Sequence, residues 1–227
     1  MKRILFIVAA FAIFAIPSIA SAIPPKPGPY VSGFLGVNVL QNTNVSGTDF
    51  NSLTLNDRVE FDPSISIGGS GGYDFGYVRL EGELSYKHAE ISSINDPLGS
   101  GTFISPHGSL GAFGVMANGF VDLHNASPVT PYFGGGIGFA TLHLNETTGI
   151  ERGGTGGRLT LYLDDDDTVF AYQAGAGLEI ALNRRLSLDV GYRYFATDTA
   201  RFNGNGSQDL ELKYRSHSAT VGVRFKF

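Results

Sequence analysis

Apolar and polar residues alternate one for one along most of this chain. In Leu186 to Tyr194, Leu186, Leu188, Val190, Tyr192 and Tyr194 fall on one side, and Ser187, Asp189, Gly191 and Arg193 on the other. A period of two marks a β-strand, because successive Cβ atoms point to opposite faces. Val78, Leu80, Leu84 and Tyr86 likewise oppose Arg79, Glu81, Glu83 and Lys87. Phe170 to Leu182, at every second position, oppose Gln173, Gly175, Gly177 and Glu179. Ala219, Val221, Val223, Phe225 and Phe227 oppose Thr220, Gly222, Arg224 and Lys226. Val31 to Val39 and Phe61 to Tyr73 repeat the division. Two less clean stretches complete the set, Gly108 to Asp122 and Thr130 to Leu144, where Phe133, Ile137 and Phe139 oppose Gly134, Gly136 and Gly138. Helical spacing is hard to find, and glycines interrupt the segments that could carry it.

Eight candidate strands follow, and their connections alternate in length. Long polar segments run over 41–57, 89–107, 145–168 and 198–212. Short links lie at Phe75-Gly76, Leu123 to Val129 and Asn183-Arg184. The pattern predicts an all-β fold: an eight-stranded antiparallel up-and-down transmembrane β-barrel with long extracellular loops and short periplasmic turns. A soluble, lipocalin-like binding barrel would show the same two-faced strands with the apolar face turned inward. The polar rows separate the two. Arg79, Glu81, Glu83, Asp189, Arg193, Arg224 and Lys226 form a mixed-sign set, suited to pairing inside a narrow lumen.

The N-terminus is of another kind. Lys2 and Arg3 precede an unbroken apolar run from Ile4 to Ile16, then Pro17 and an Ala20-Ser21-Ala22 site. This is the pattern of a secretory signal peptide cleaved after Ala22, so residues 1–22 are expected to be removed. Residues 23–29 read as a short Pro-rich periplasmic segment and 30–227 as the barrel domain. No second apolar run is long enough for a membrane helix.

Composition narrows the function. Charged residues are 16% of the 227, the net charge is −5, and cysteine is absent. Disulfide scaffolds and thiolate metal sites are therefore excluded, and nucleic acid is not an expected partner. Removing the leader leaves −7. The four long segments hold thirteen acids against three arginines, a balance of −10, while the rest of that chain sums to +3. The acidity lies at the loop end. Asp164, Asp165, Asp166 and Asp167 are its sharpest feature. Clustered carboxylates suit hard divalent cations, but the spacing lacks an EF-hand's glycine and terminal glutamate, so the tetrad reads first as a solvated acidic loop. The histidines, His88, His107, His124, His143 and His217, lie outside any H-E-x-x-H or G-x-S-x-G motif. No catalytic residue and no cofactor are expected.

Several stretches carry a family resemblance: residues 30–37, 72–75, 79–86, 131–138 and 191–194, that is YVSGFLGV, GYDF, RLEGELSY, PYFGGGIG and GYRY. With the leader and the alternating C-terminal strand ending in Phe227, the chain resembles small bacterial outer-membrane β-barrels. The nearest group is the opacity-protein-like and surface-antigen proteins, related in fold to the barrel of OmpA. The resemblance covers essentially all of residues 23–227, although Trp is missing from the interface positions. It implies that Phe227 is read by the barrel assembly machinery. It also implies a monomer in outer-membrane lipid and lipopolysaccharide, acting in envelope integrity or in contact with an external ligand or host surface. The open alternatives are a narrow channel for small solutes, a lipid-modifying hydrolase and the soluble binding barrel.

Overall fold

The computed structural model describes residues 27–41, 43–48, 54–95, 102–145, 147–151, 158–162, 164–203 and 209–227. The expected leader lies outside them. Thirteen strands form one sheet: β1 (Gly28–Leu40), β2 (Thr43–Thr48), β3 (Thr54–Phe61), β4 (Ser64–Asp74), β5 (Val78–Asn95), β6 (Thr102–His107), β7 (Ser109–Asp122), β8 (Val129–Leu144), β9 (Thr147–Glu151), β10 (Arg158–Tyr162), β11 (Asp165–Ala181), β12 (Leu186–Asn203) and β13 (Asp209–Lys226). Eight of these, β1, β4, β5, β7, β8, β11, β12 and β13, pair antiparallel in sequence order, and β1 pairs with β13 to close the ring.

The register fixes the barrel's geometry. A walk along paired residues runs from Val31 through Gly71, Gly82, Ala117, Ile137, Tyr172, Ala196 and Arg215. Arg215 accepts a backbone bond from Gln41 at 2.9 Å, so the walk returns to β1's line ten residues beyond its start. Eight strands with a shear of ten tilt by about 40° and leave an interior that side chains can fill.

The three tight connections are Phe75 to Tyr77, Leu123 to Pro128 and Leu182 to Arg185. Gly76 sits at φ 103°, a left-handed conformation that favours glycine, and its N–H donates to Asp74 Oδ1 at 2.7 Å. At the opposite end the expected long loops are in large part strand. β5, β12 and β13 run past the barrel, and β2, β3, β6, β9 and β10 add to them edge to edge. Outside an apolar solvent the two faces of a strand no longer differ, so the alternation fades while the backbone pairing continues. Two boundaries also move. The stretch from Phe61 to Tyr73 is two strands, because Asp62-Pro63 separates β3 from β4. Gly28 and Pro29 belong to β1 rather than to a separate segment.

Glycine tunes the wall. A Cβ on Gly134, Gly136 or Gly138 of β8 would stand 2.1 Å from Gly119 O, 2.0 Å from Asn118 Oδ1 and 2.0 Å from Val115 O. Strand β8 can therefore lie against β7 only with these side chains missing. Gly82, on the outward face of β5, meets nothing within 4 Å. Gly136→Val should destabilise the barrel by about 1–3 kcal/mol through overpacking. Gly82→Val should change stability by no more than about 0.5 kcal/mol. Urea unfolding of both variants in lipid vesicles checks the contrast, and equal losses would contradict the inward–outward assignment of these strands.

Candidate functional site

The barrel's interior is layered. Nearest the tight turns is an ionic layer. Arg224 NH1 binds Glu179 Oε2, and its NH2 lies 3.4 Å from Asp189 Oδ2. Lys226 Nζ reaches Asp74 Oδ2 at 2.7 Å and Glu179 Oε1 at 3.6 Å. Arg79, fully buried, sets its Nε 2.8 Å from Asp122 Oδ2 as an ion pair without hydrogen-bond alignment, and its NH1 3.7 Å from Glu179. Its guanidinium lies 4.7 Å from the Tyr132 ring centre and 5.5 Å from that of Phe120. Aromatic faces thus cover the part of the cation that carboxylates do not.

One step further in, Arg193 NH1 binds Glu83 Oε2. Asn118 donates to Glu81 at 3.2 Å and to Glu83 at 3.0 Å, and accepts from Gln173 at 2.7 Å. Tyr30 and Ser70 donate to Glu81 at 2.7 and 3.0 Å, and Tyr132 donates to Asp189 at 2.8 Å. All seven charged residues expected inside are there. The alternation-based set was incomplete: Asp74, Lys87, Asp122 and Glu179 share the lumen. So do Tyr30, Phe34 and Tyr132, whose rings receive Arg224, Arg193 and Arg79. Their parity along β1 and β8 puts them on the inner face with Ser32 and Gly134, where each ring lies against an arginine.

Toward the hairpin end the lumen turns apolar. Leu40, Ala89, Leu110, Ala112, Met116, Ala140, Leu142, Leu144, Ala171, Phe195, Ala200, Phe202, Leu212 and Tyr214 form one buried cluster. These positions continue the polar rows of their own strands, so the inside of this barrel is not polar throughout. Lys87 marks the boundary, with Nζ 4.0 Å from the Phe195 ring centre and 3.2 Å from Ser85 Oγ. Beside it, Ser64, Ser66 and Ser216 hydroxyls and the Asn38 amide nitrogen have no protein partner among the described residues. Buried groups of this kind are ordinarily satisfied by ordered water. A cavity of about 10 Å³, room for roughly one water, lies lower, among Ser32, Phe34, Arg79, Glu81, Asp189 and Arg193.

The outer surface of the wall is apolar. Leu35, Ile65, Ile67, Leu80, Leu84, Val115, Ile137 and Val221 are all exposed. Tyr73, Phe75, Tyr77, Phe133, Phe225 and Phe227 edge this belt at the turn end. Tyr86, Phe113, Phe139, Phe170 and Tyr172 edge it at the hairpin end, with Phe139 and Phe170 paired in register. Tyr and Phe thus hold the girdle positions of a membrane barrel without Trp. A soluble binding barrel would turn this belt inward.

The acidic tetrad is not a loop. Asp165 to Asp167 open β11, in register with Leu144, His143 and Leu142. Alternation sends neighbouring carboxylates to opposite faces. Asp164 and Asp166 flank the outward-facing His143 at 3.3 and 2.7 Å, while Asp167 Oδ2 accepts the Arg201 N–H at 2.8 Å. Among the described residues no group of three or more His, Asp and Glu could hold a metal ion, so the geometry gives the cation reading of the tetrad no support. His217 and Ser218, adjacent in sequence, part across the wall. The imidazole faces outward between Gln41 Nε2 and Tyr192 Oη, at 2.7 and 2.5 Å, and Ser218 Oγ donates inward to Asn38. His124 Nε2 lies 2.5 Å from the Gly76 carbonyl, and the His107 side chain lies outside the described residues.

Residues 6–227 match the family described as outer membrane protein beta-barrel domain. The outer membrane protein PagN of Salmonella typhimurium is 26% identical over 245 residues, which cover 96% of this chain and 98% of PagN. The outer membrane protein OprG of Pseudomonas aeruginosa shares the fold with a TM-score of 0.59 and 12% identity, over 88% of this chain and 97% of OprG. Neisserial surface protein A shares it at 0.50 and 19%, over 89% of this chain and 100% of its own.

The ionic layer makes a measurable prediction. Glu179 is approached by Arg79, Arg224 and Lys226, so Glu179→Ala leaves buried cations short of a counter-charge. The loss should be about 3–5 kcal/mol. Arg224→Ala should cost a similar amount, and the double variant should fall short of the sum by about 0.5–3 kcal/mol. A double-mutant cycle by urea unfolding measures this, and strictly additive losses would mean that the pair is not coupled.

Proposed function

The chain belongs to the outer membrane protein beta-barrel domain family, and from that premise we propose that it is a non-enzymatic surface protein. In this reading a filled barrel holds a collar of β-hairpins outside the cell, for envelope integrity or for contact with an external ligand or host surface. The observation that carries it is the layered lumen. A channel needs a continuous polar path, whereas here an ionic layer and an apolar layer lie in series across the same bore. A hydrolase needs a nucleophile within reach of a base, and His217 and Ser218 lie on opposite sides of the wall.

Outer-membrane location follows from the family and from the exposed apolar belt. We further infer cleavage after Ala22, recognition of Phe227 by the barrel assembly machinery and a monomeric barrel. A backbone bond from Phe227 N to Pro29 O at 3.1 Å places that aromatic residue at the closing seam, at the turn end of the barrel. The acidic hairpin segments, Asp198 and Glu211 among them, would then face the medium.

Planar bilayers containing the purified protein should show no stable conductance steps of porin size. Because the two layers block in series, Glu83→Gln together with Arg193→Gln should leave the membrane equally tight, since the apolar layer still closes the bore. Large, regular steps from either protein would refute the surface-protein reading and favour a channel.

A further inference from the structure

One lumen cation differs from the others. Among the described residues Arg79, Arg193, Arg224 and Lys226 each have a carboxylate partner, Asp122, Glu83, Glu179 and Asp74 in turn. Lys87 is buried too, but its neighbours are a hydroxyl and a ring: Nζ lies 3.2 Å from Ser85 Oγ and 4.0 Å from the Phe195 ring centre. Glu83, two inward positions nearer the turns, is taken up by Arg193 and Asn118. A hydroxyl and a ring face lower the cost of burying an ammonium, but they leave its charge uncancelled.

The register places unpartnered polar groups around this cation. Because the ring closes out of step, each crossing from β1 toward β5 along the hydrogen bonds climbs a little over one residue toward the hairpins. Traced back from Lys87, the bonded partners are Ser66 of β4 and then Gly36 of β1. Corrected for the climb, the inward residues level with Lys87 are Ser64 of β4, Asn38 of β1 and Ser216 of β13. Their polar ends are buried and, among the described residues, unpartnered, as is the Ser66 hydroxyl just below. Asn38 Oδ1 already accepts the Ser218 hydroxyl, so the end of the amide that remains is the donor, Nδ2. The other half of this level is Phe195 with the small Ala112, Ala140 and Ala171, and none of these side chains can accept a hydrogen bond. Four groups able to donate and one uncancelled cation therefore face the same stretch of bore, which no carboxylate enters.

We propose that this level of the lumen is a binding site for a small monatomic anion of the chloride class. The anion accepts from Asn38 Nδ2 and from the Ser64, Ser66 and Ser216 hydroxyls, and it cancels the charge of Lys87. Buried polar groups left without a protein partner call for a water or an ion. Water would satisfy the hydroxyls, but it brings no charge and adds hydrogens to a stretch of bore already rich in donors. A tetrahedral oxyanion is too large for a bore spanned by the Phe195 ring, with Leu142 above and the Arg193–Glu83 pair below. The site lies between the ionic and the apolar layers and adds a ligand to the lumen without opening a path through it. It holds whichever end of the barrel faces the medium.

The test uses the barrel folded in neutral phosphatidylcholine vesicles. Urea unfolding is followed while sodium chloride replaces sodium gluconate at constant ionic strength. In the wild type, a rise in chloride of about a hundredfold should raise the folding equilibrium constant about tenfold, because the anion binds only the folded lumen. Lys87→Met, similar in length and uncharged, should abolish the dependence. Ser64→Ala with Ser216→Ala should weaken it, and Arg201→Gln, on the outer collar, should leave it intact. Heat-modifiable gel mobility on the same samples shows that each variant has closed its barrel. If Lys87→Met does not close, the serine pair and the wild type decide. Crystals grown in bromide should show an anomalous peak in the lumen beside Lys87 Nζ. A wild type indifferent to chloride, or a serine pair as responsive as the wild type, would overturn the proposal. So would a lumen without bromide, which would assign these groups to ordered water.

Discussion

A sheet surrounded by hydrocarbon cannot leave an edge open, because lipid offers neither donor nor acceptor to a bare backbone. Here the edge is removed by pairing Tyr30 to Leu40 of β1 with Ser216 to Lys226 of β13. The seam sets the register of the first strand against the last, and so the shear, the tilt and the bore. The bore in turn decides what the inward-facing side chains must do. Eight strands leave no room for a water column wide enough to solvate Arg79 or Glu83, so each charge needs a partner of its own. The ionic layer is the consequence of closure at this size.

The two lumen layers solve one problem by different chemistry. Near the turns, four cations and six carboxylates crowd together, and Tyr30, Tyr132, Asn118 and Gln173 donate hydrogen bonds to Glu81, Glu83 and Asp189 among them. Near the hairpins the bore is filled as a soluble protein fills its core, by Leu, Ala, Met and Phe. The hairpins grow directly from strands whose inner faces pack in that apolar layer: β5 from Ala89, β12 from Phe202 and β13 from Leu212. The collar therefore stands on a packed base.

Much of this was legible in the sequence, for a physical reason. Lipid on one side and a crowded interior on the other make a strict period of two, and Arg79-Leu80-Glu81-Gly82-Glu83-Leu84 shows it plainly. Legibility fails where one of those conditions lapses. Phe34, Tyr30 and Tyr132 are inside because arginines need aromatic faces, a demand that comes from other strands. The hairpin strands have water on both sides and lose the apolar rhythm, so they resemble loops. Strand β12 slips register between Ala196 and Thr199, after which Ala200 and Phe202 turn inward, and a bulge of this kind reverses parity without a compositional mark. The acidic tetrad misled because four adjacent carboxylates look like one site, whereas a strand distributes them over two faces.

The filled bore also has a mechanical meaning. An empty tube squeezed in the plane of a membrane turns oval. A tube packed with interlocked side chains resists, because close-packed protein interiors have low compressibility. Lateral pressure on this barrel is therefore carried across the lumen, from the Arg193–Glu83 contact below to Leu142 and Phe195 above, and not taken up as a change of shape. The spacing between hairpins at the rim then stays constant as the bilayer is stretched or compressed. A binding surface assembled from those hairpins keeps one geometry under load.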